Sequence, residues 1–257
     1  MAGAPRPDEE ELVERHGRGL RLGLACCAGF ADTFGYIRLH GLLTAHVTGN
    51  LAFMAAGIAR GNPHILLKFL ALPIFILWVG ITALVIGRVG RGARGGLLCG
   101  LVFEILLLGL VGLATMLLPS QTNPDSLPEI VIGTLLLAAM GAQNAVMRFS
   151  LPKLPSTTAM TTNVSEATVR WVSARINPDR RLSAEERTAL ARGARRIAAT
   201  VCAFGLGGVT GGLVALHLGG VGLLIPMALL ALLILWILAA GRRAKAQGPN
   251  LANNRNS

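Results

Sequence analysis

Thr44-Ala-His-Val-Thr-Gly-Asn50 is a polar stretch set between apolar ones, and its chemistry returns once, at Thr157-Thr-Ala-Met-Thr-Thr-Asn163. The surroundings return with it: Asp32 precedes Asn50 by 18 residues and Asn144 precedes Asn163 by 19. After each copy apolar residues recur at helical spacing, Val47, Leu51, Met54 and Ile58 in the first and Met160, Val164, Ala167 and Trp171 in the second. This predicts two short amphipathic helices of one design. Thr48 or Asn50, and Thr161 or Asn163, are side chains able to cap those helices by accepting unpaired backbone N–H groups. Helices lying on a membrane surface satisfy the pattern, and so do helices that re-enter the membrane.

Composition decides the class around this motif. With 53% hydrophobic and 14% charged residues and a mean hydropathy of +0.58, the chain is too apolar for a soluble domain and reads as a polytopic membrane protein. The net charge of +11 therefore signals topology, not a nucleic-acid partner. Cys26, Cys27, Cys99 and Cys202 fall inside apolar runs without metal or redox spacing, as packed thiols do.

Working outward, residues 1–21 carry Asp8, Glu9, Glu10 and Glu11 and are unlike a cleavable signal peptide. A first membrane repeat is expected over 22–118, with spans near 22–39, 65–87 and 96–118. A second is expected over 129–241, with spans near 129–147 and 197–218 and a last one ending at 241, and a basic loop at 148–196. Residues 242–257 form the tail. Within the loop, Ser183-Ala-Glu-Glu186 is a capping box opening a basic helix through Arg196. Gly207/Gly211 and Gly208/Gly212 make a small-xxx-small ridge for close helix contact. Glu166 and Arg170, at i and i+4, are an expected helix ion pair.

All of the 24 basic residues except Arg38, Arg60 and Lys68 fall in segments that six spans place on one side together with the termini. Lys- and Arg-rich segments stay cytoplasmic, so both termini are expected inside. Three spans per repeat then force the second half to enter with the opposite orientation. The expected fold is all-α, six transmembrane helices as two inverted three-helix repeats, each with one short amphipathic helix, a plan shared by many secondary transporters.

Polar groups inside spans are the candidate functional residues, because a charge in hydrocarbon is costly and seldom persists facing lipid. Asp32 is the expected titrating residue, with Asn50, Asn144 and Asn163 around it. His46, Thr48, Gly49, Gln143 and Thr161 complete the substrate or coupling set. Glu104 is a secondary candidate, with a salt bridge to Arg88 or Arg91 as its alternative role. His40 and His46 lack metal-ligand spacing and no serine has a nucleophile-elbow context, so no metal, cofactor or catalytic residue is expected.

The run Gly29-Phe-Ala-Asp32-Thr-Phe-Gly35-Tyr36, then Ala45-His46-Val-Thr48-Gly49-Asn50, and later Ala142-Gln143-Asn144-Ala145 with Thr161-Thr162-Asn163, resembles the YoaK-like family of bacterial membrane proteins. The resemblance spans most of the chain and implies a six-helix inner-membrane protein without naming a substrate. Thr162 replaces the glycine of the Thr-Gly-Asn pattern. Three function classes follow. A permease for a small, anionic or neutral, solute, proton-coupled through Asp32, draws on the repeats. A non-catalytic scaffold would use the basic loop to bind lipid or a partner, and an intramembrane enzyme would need a constellation the sequence lacks. Membrane lipid and a small solute are the expected partners, and homo-oligomerisation is left open.

Overall fold

A computed structural model describes residues 7–89, 92–118, 120–176 and 182–253. Among these residues the structure is helical, without strands: α1 (Pro7–Arg38), α2 (Gly49–Ala59), α3 (Leu66–Val89), α4 (Gly92–Leu117), α5 (Leu127–Ser150), α6 (Met160–Ile176), α7 (Ala184–His217) and, after a 3-10 turn at Gly219–Leu223, α8 (Leu224–Asn253). Arg91, the other partner candidate for Glu104, lies outside the described residues, as does the segment 177–181 of the basic loop.

Five helices are long and apolar enough to cross a membrane: α3, α4, α5, α7 and the helix through Gly219–Ala240. Their outer faces carry large apolar side chains with no protein cover, among them Phe69, Ile76, Leu106, Met116, Leu206, Leu213, Leu232 and Leu235. A surface of this extent needs lipid in place of water, and the chain is a multi-pass membrane protein. The apolar window of α5 is 72% buried and that of α3 only 17%, so α5 belongs to the centre of the bundle and α3 to its rim.

α1 falls outside that set by composition, yet it is among the most enclosed helices. Leu20, Leu24, Ala25, Cys27, Ala28, Phe30, Ala31 and Phe34 are all buried. A helix shielded from lipid by its neighbours need not be apolar all round, which is why Gly29, Asp32, Thr33 and Gly35 are tolerated in it. Its chief partner is α7, through the glycine ridge expected from sequence. A Cβ on Gly207 would fall onto the carbonyl of Cys26, one on Gly211 onto that of Phe30, and one on Gly29 onto that of Phe204. The two backbones meet because no side chain stands between them.

α5 packs mainly on α3 and α4. Gly141 is the contact point on α3, where a Cβ would stand 3.3 Å from the carbonyl oxygen of Phe75 and 3.2 Å from Cβ of Trp78.

Two expected boundaries change. The basic segment opened by Ser183 and the span expected to begin at residue 197 are one helix, α7, of 34 residues. The capping box at its start is intact: Ser183 Oγ accepts from the Glu186 N–H at 3.2 Å and Glu186 Oε2 accepts from the Ser183 N–H at 2.7 Å. Likewise residues 7–21 continue into the segment expected as the first span, as a single helix of 32 residues. Neither junction contains a proline or a turn signal, so nothing interrupts the backbone ladder.

The short helices are rotated from the expected face. In α6 the buried residues are Met160, Asn163 and Ala174, while Val164 and Trp171 are exposed. In α2 Asn50 is buried, and Leu51 and Ile58 are exposed. One residue is a turn of ~100° about a helix axis. The buried stripe is therefore the one containing the motif asparagines.

Candidate functional site

α1 ends at Arg38, and the chain turns through His40 (φ 52°) and Gly41 (φ 85°) to bring residues 43–48 back against it. Asp32 receives this loop. Its Oδ1 accepts the N–H groups of Thr44, Ala45 and His46 at 2.8, 2.7 and 3.2 Å, and its Oδ2 lies 2.7 Å from Nδ1 of His46. Asp32 is 5% exposed. A buried carboxylate is tolerable there because each oxygen is met by donors. The His46 ring also stands edge-on to Phe204 of α7, centroids 5.0 Å apart.

Asn50 does not cap α2. Its Oδ1 accepts the Leu43 N–H at 2.9 Å, and its Nδ2 donates to the carbonyls of Leu43 and Val47 at 2.6 and 3.1 Å. Thr48 stands at the N-cap without a side-chain hydrogen bond. The N–H groups of Gly49, Asn50 and Leu51 are taken by the carbonyls of His46, Val47 and Thr48. The turn before the helix thus satisfies the orphan donors that a capping side chain or an anion would otherwise meet, which overturns the expected Thr/Asn cap and removes those donors from any ligand. Gly49 has a packing role: a Cβ there would lie 2.6 Å from Cδ1 of Leu43.

The second copy is built alike. Asn163 Nδ2 donates to the Ser156 carbonyl at 2.6 Å, again seven residues back, and Ser156 Oγ accepts the N–H groups of Thr158 and Ala159. Asn144 Nδ2 donates to Thr158 Oγ1 at 2.8 Å. Gln143 Nε2 donates to Thr157 Oγ1 at 2.8 Å and to the Leu24 carbonyl of α1 at 2.9 Å, tying the second loop to the first half. Asp32 and Asn144 therefore hold equivalent loops, the former by charge and the latter by an amide.

The two loops line one cavity of about 290 Å³, whose walls are Ala45, His46, Val47 and Thr48 from the first copy, Thr158, Ala159, Met160, Thr161 and Thr162 from the second, and Asn144 and Phe75 between them. Of the expected set, His46, Thr48, Asn144 and Thr161 face this space. Asp32 stands behind His46. Asn50, Asn163, Gln143 and Gly49 hold the loops in shape from outside the cavity lining, so the expected ring of asparagines around Asp32 is not the arrangement found. Phe75 and Thr158 were not singled out from sequence, and Thr162 was marked there only as the residue that replaces the motif glycine. Thr158 had a signal, since it follows Asn144 by 14 residues as His46 follows Asp32. The wall offers four hydroxyls, an amide and an imidazole beside one aromatic ring, a surface suited to a small polar solute and too small for a lipid chain.

Glu104 lies apart. It is fully buried in α4, and neither of its carboxyl oxygens has a hydrogen-bond partner among the described residues. The expected salt bridge to Arg88 is absent, because Glu104 points into the bundle while Arg88 is exposed. The buried ion pair is elsewhere: Arg38 Nη1 sits 3.1 and 3.3 Å from the two oxygens of Glu129, and one of those oxygens also accepts the Gln121 N–H at 3.0 Å. Arg38, one of the three basic residues outside the segments grouped with the termini, is neutralised. The expected Glu166–Arg170 pair is present at 2.6 Å. Among the described residues no group of three His, Cys, Asp or Glu side chains is placed to hold a metal ion.

A family model described as Protein of unknown function (DUF1275) matches residues 20–236. No curated protein and no solved structure matches the chain.

Proposed function

The chain belongs to the family Protein of unknown function (DUF1275), and we propose that it is a secondary transporter for a small polar solute, bound between the two motif loops. One observation carries this reading: two copies of a motif, far apart in sequence, line a single cavity. Coupled carriers built from inverted repeats bind their solute at such a repeat interface.

In this reading α1 is the sixth span. It lies along α7, itself long and apolar enough to cross, and so crosses beside it. The packing supports an inverted repeat that pairs α1–α4 with α5–α8. α1 rests on α7 as α5 rests on α3, Gly29 meets the Phe204 carbonyl as Gly141 meets that of Phe75, and each glycine lies three residues before its polar anchor, Asp32 or Asn144. Gly49–Ala59 contains no charged residue and suits re-entry into hydrocarbon. α6 carries Glu166, Arg170 and Arg175, so its N-terminal end alone would enter. The distribution of basic residues supports a cytoplasmic location for both termini in this reading.

His46 and Asp32 form the proton-handling pair of this mechanism. The His46 ring touches both the cavity and the carboxylate, and an imidazole can hold or release a proton at either nitrogen. Protonation of His46 would add a cation to the cavity wall, which favours an anionic solute or the anionic end of a zwitterion. The function is then non-enzymatic, with the bound solute leaving unchanged. Uptake of a panel of small labelled acids, amino acids and sugars into proteoliposomes under an imposed pH gradient tests it. At least one solute should accumulate with the wild type and lose its gradient dependence in His46→Gln. Accumulation that is identical in His46→Gln would remove the proton role, and gradient-independent leakage of every solute would remove the carrier.

A further inference from the structure

A second cavity, of about 660 Å³, opens at the other end of the α1–α7 crossing and is lined by Val13, Glu14, Gly17, Arg18 and Arg21 of α1, Leu154, and Arg195, Arg196 and Ala199 of α7. Four arginines and one carboxylate face it. None of the four arginines takes part in an ion pair among the described residues, although Glu14 is close at hand. Arg21 is 5% exposed, and its buried Nε has no hydrogen-bond partner. Buried guanidinium groups are ordinarily paired, because desolvating a charge without a partner is costly. Arg18 and Arg196 make the position worse, each acting on Arg21 by like-charge repulsion. Such a cluster persists where an anion supplies the missing acceptors.

We propose that this cavity binds a phosphoryl group, held by Arg21 from the buried side and by Arg18, Arg195 and Arg196 from the mouth. Guanidinium forks match the several oxygens of a phosphate. The group comes either from an anionic lipid headgroup, with Val13, Leu154 and Ala199 beside it as an apolar flank, or from a soluble phosphate. The site is separate from the cavity between the motif loops and its test does not depend on transport.

The measurement is the Tm of the full-length protein in neutral detergent, titrated with inorganic phosphate in one arm and with short-chain phosphatidylglycerol in the other, with phosphatidylcholine as the comparison lipid. A bound ligand raises Tm saturably. Half-saturation should move by about tenfold or more in Arg21→Gln and in Arg196→Gln, the loss of one charge-assisted hydrogen bond. It should not move in Arg148→Gln, an exposed arginine in the last turn of α5. Arg196 is exposed, so its variant reports even if Arg21→Gln folds poorly. Saturation by the lipid alone assigns a headgroup, and saturation by phosphate as well assigns a soluble anion. No saturable rise in either arm, or an equal shift in all three variants, overturns the proposal.

Discussion

Nδ1 of His46 lies 2.7 Å from Oδ2 of Asp32 while the other oxygen of the same carboxylate collects three backbone N–H groups from residues 44–46. One side chain on α1 thus fixes both the path of the loop and the orientation of the imidazole that faces the cavity. The counterpart in the second half, Asn144 on Thr158, repeats the 14-residue reach without a charge. The two halves anchor their loops alike and differ in the anchor, a carboxylate in one and an amide in the other.

Asp32→Asn keeps an oxygen for the loop N–H groups and loses the charge beside His46. Its stability in detergent should fall by about 1 kcal/mol, with the protein still folded and inserted and its uptake no longer responsive to pH. Asp32→Ala strands all three N–H groups and should cost about 3 kcal/mol. Equal losses in the two variants, measured by denaturant unfolding, would mean that the loop is not held by this oxygen.

The glycines of α7 should divide sharply by position. Gly207→Ala sets a Cβ against the Cys26 backbone, whereas at Gly205 nothing lies within 4 Å of the added atom. Gly207→Ala should lose about 3 kcal/mol or fail to assemble, and Gly205→Ala should gain up to about 1 kcal/mol through helix propensity. Thermal unfolding of the two purified variants decides it.

Glu129→Gln leaves the Arg38 guanidinium, 14% exposed, without its counter-charge, and should destabilise the protein by about 3 kcal/mol. The double variant Arg38→Met, Glu129→Leu removes both charges and should recover most of that loss. A double variant as unstable as the single one would show that the pair contributes through its hydrogen bond to Gln121 more than through charge.

The start of α7 should depend on pH. The backbone and hydroxyl hydrogen bonds from Ser183 hold the Glu186 carboxyl below its ordinary value of 4.5. A lowered folded value means that the capping contribution is fully present above the ordinary value and is lost as pH falls through the lowered one. Protection of the first-turn amides of α7, taken relative to their intrinsic exchange rate at each pH, should fall over that acid range and should be low throughout in Ser183→Ala.

The sequence made five of the expected spans and the repeated loops legible because apolar runs and a duplicated motif are local signals. It made the Gly207/Gly211 ridge legible for the same reason, since spacing alone sets a helix face. The buried face of α2 and α6 was not legible: Asn50 and Asn163 bind loop carbonyls and so turn the polar residues inward, against the apolar pattern. Nor was the Arg38–Glu129 pair, which joins α1 to α5 across 91 residues. Phe75 enters the cavity wall by the way α3 lies on Gly141, a tertiary fact with no sequence mark. Asp32, by contrast, could be found from cost alone, because a carboxylate inside an apolar run requires partners.

Access to the motif loops tests the central claim most directly. With Cys26, Cys27, Cys99 and Cys202 replaced, a single cysteine is placed at Thr48 or at Thr161, both exposed at the cavity, and treated with a small membrane-impermeant thiol reagent in right-side-out and in inside-out vesicles. A cavity that opens alternately to the two sides predicts that each position reacts in both vesicle types. Reaction of Thr48→Cys from one side only and of Thr161→Cys from the other only would contradict it, and would make α2 and α6 two helices lying on opposite membrane surfaces.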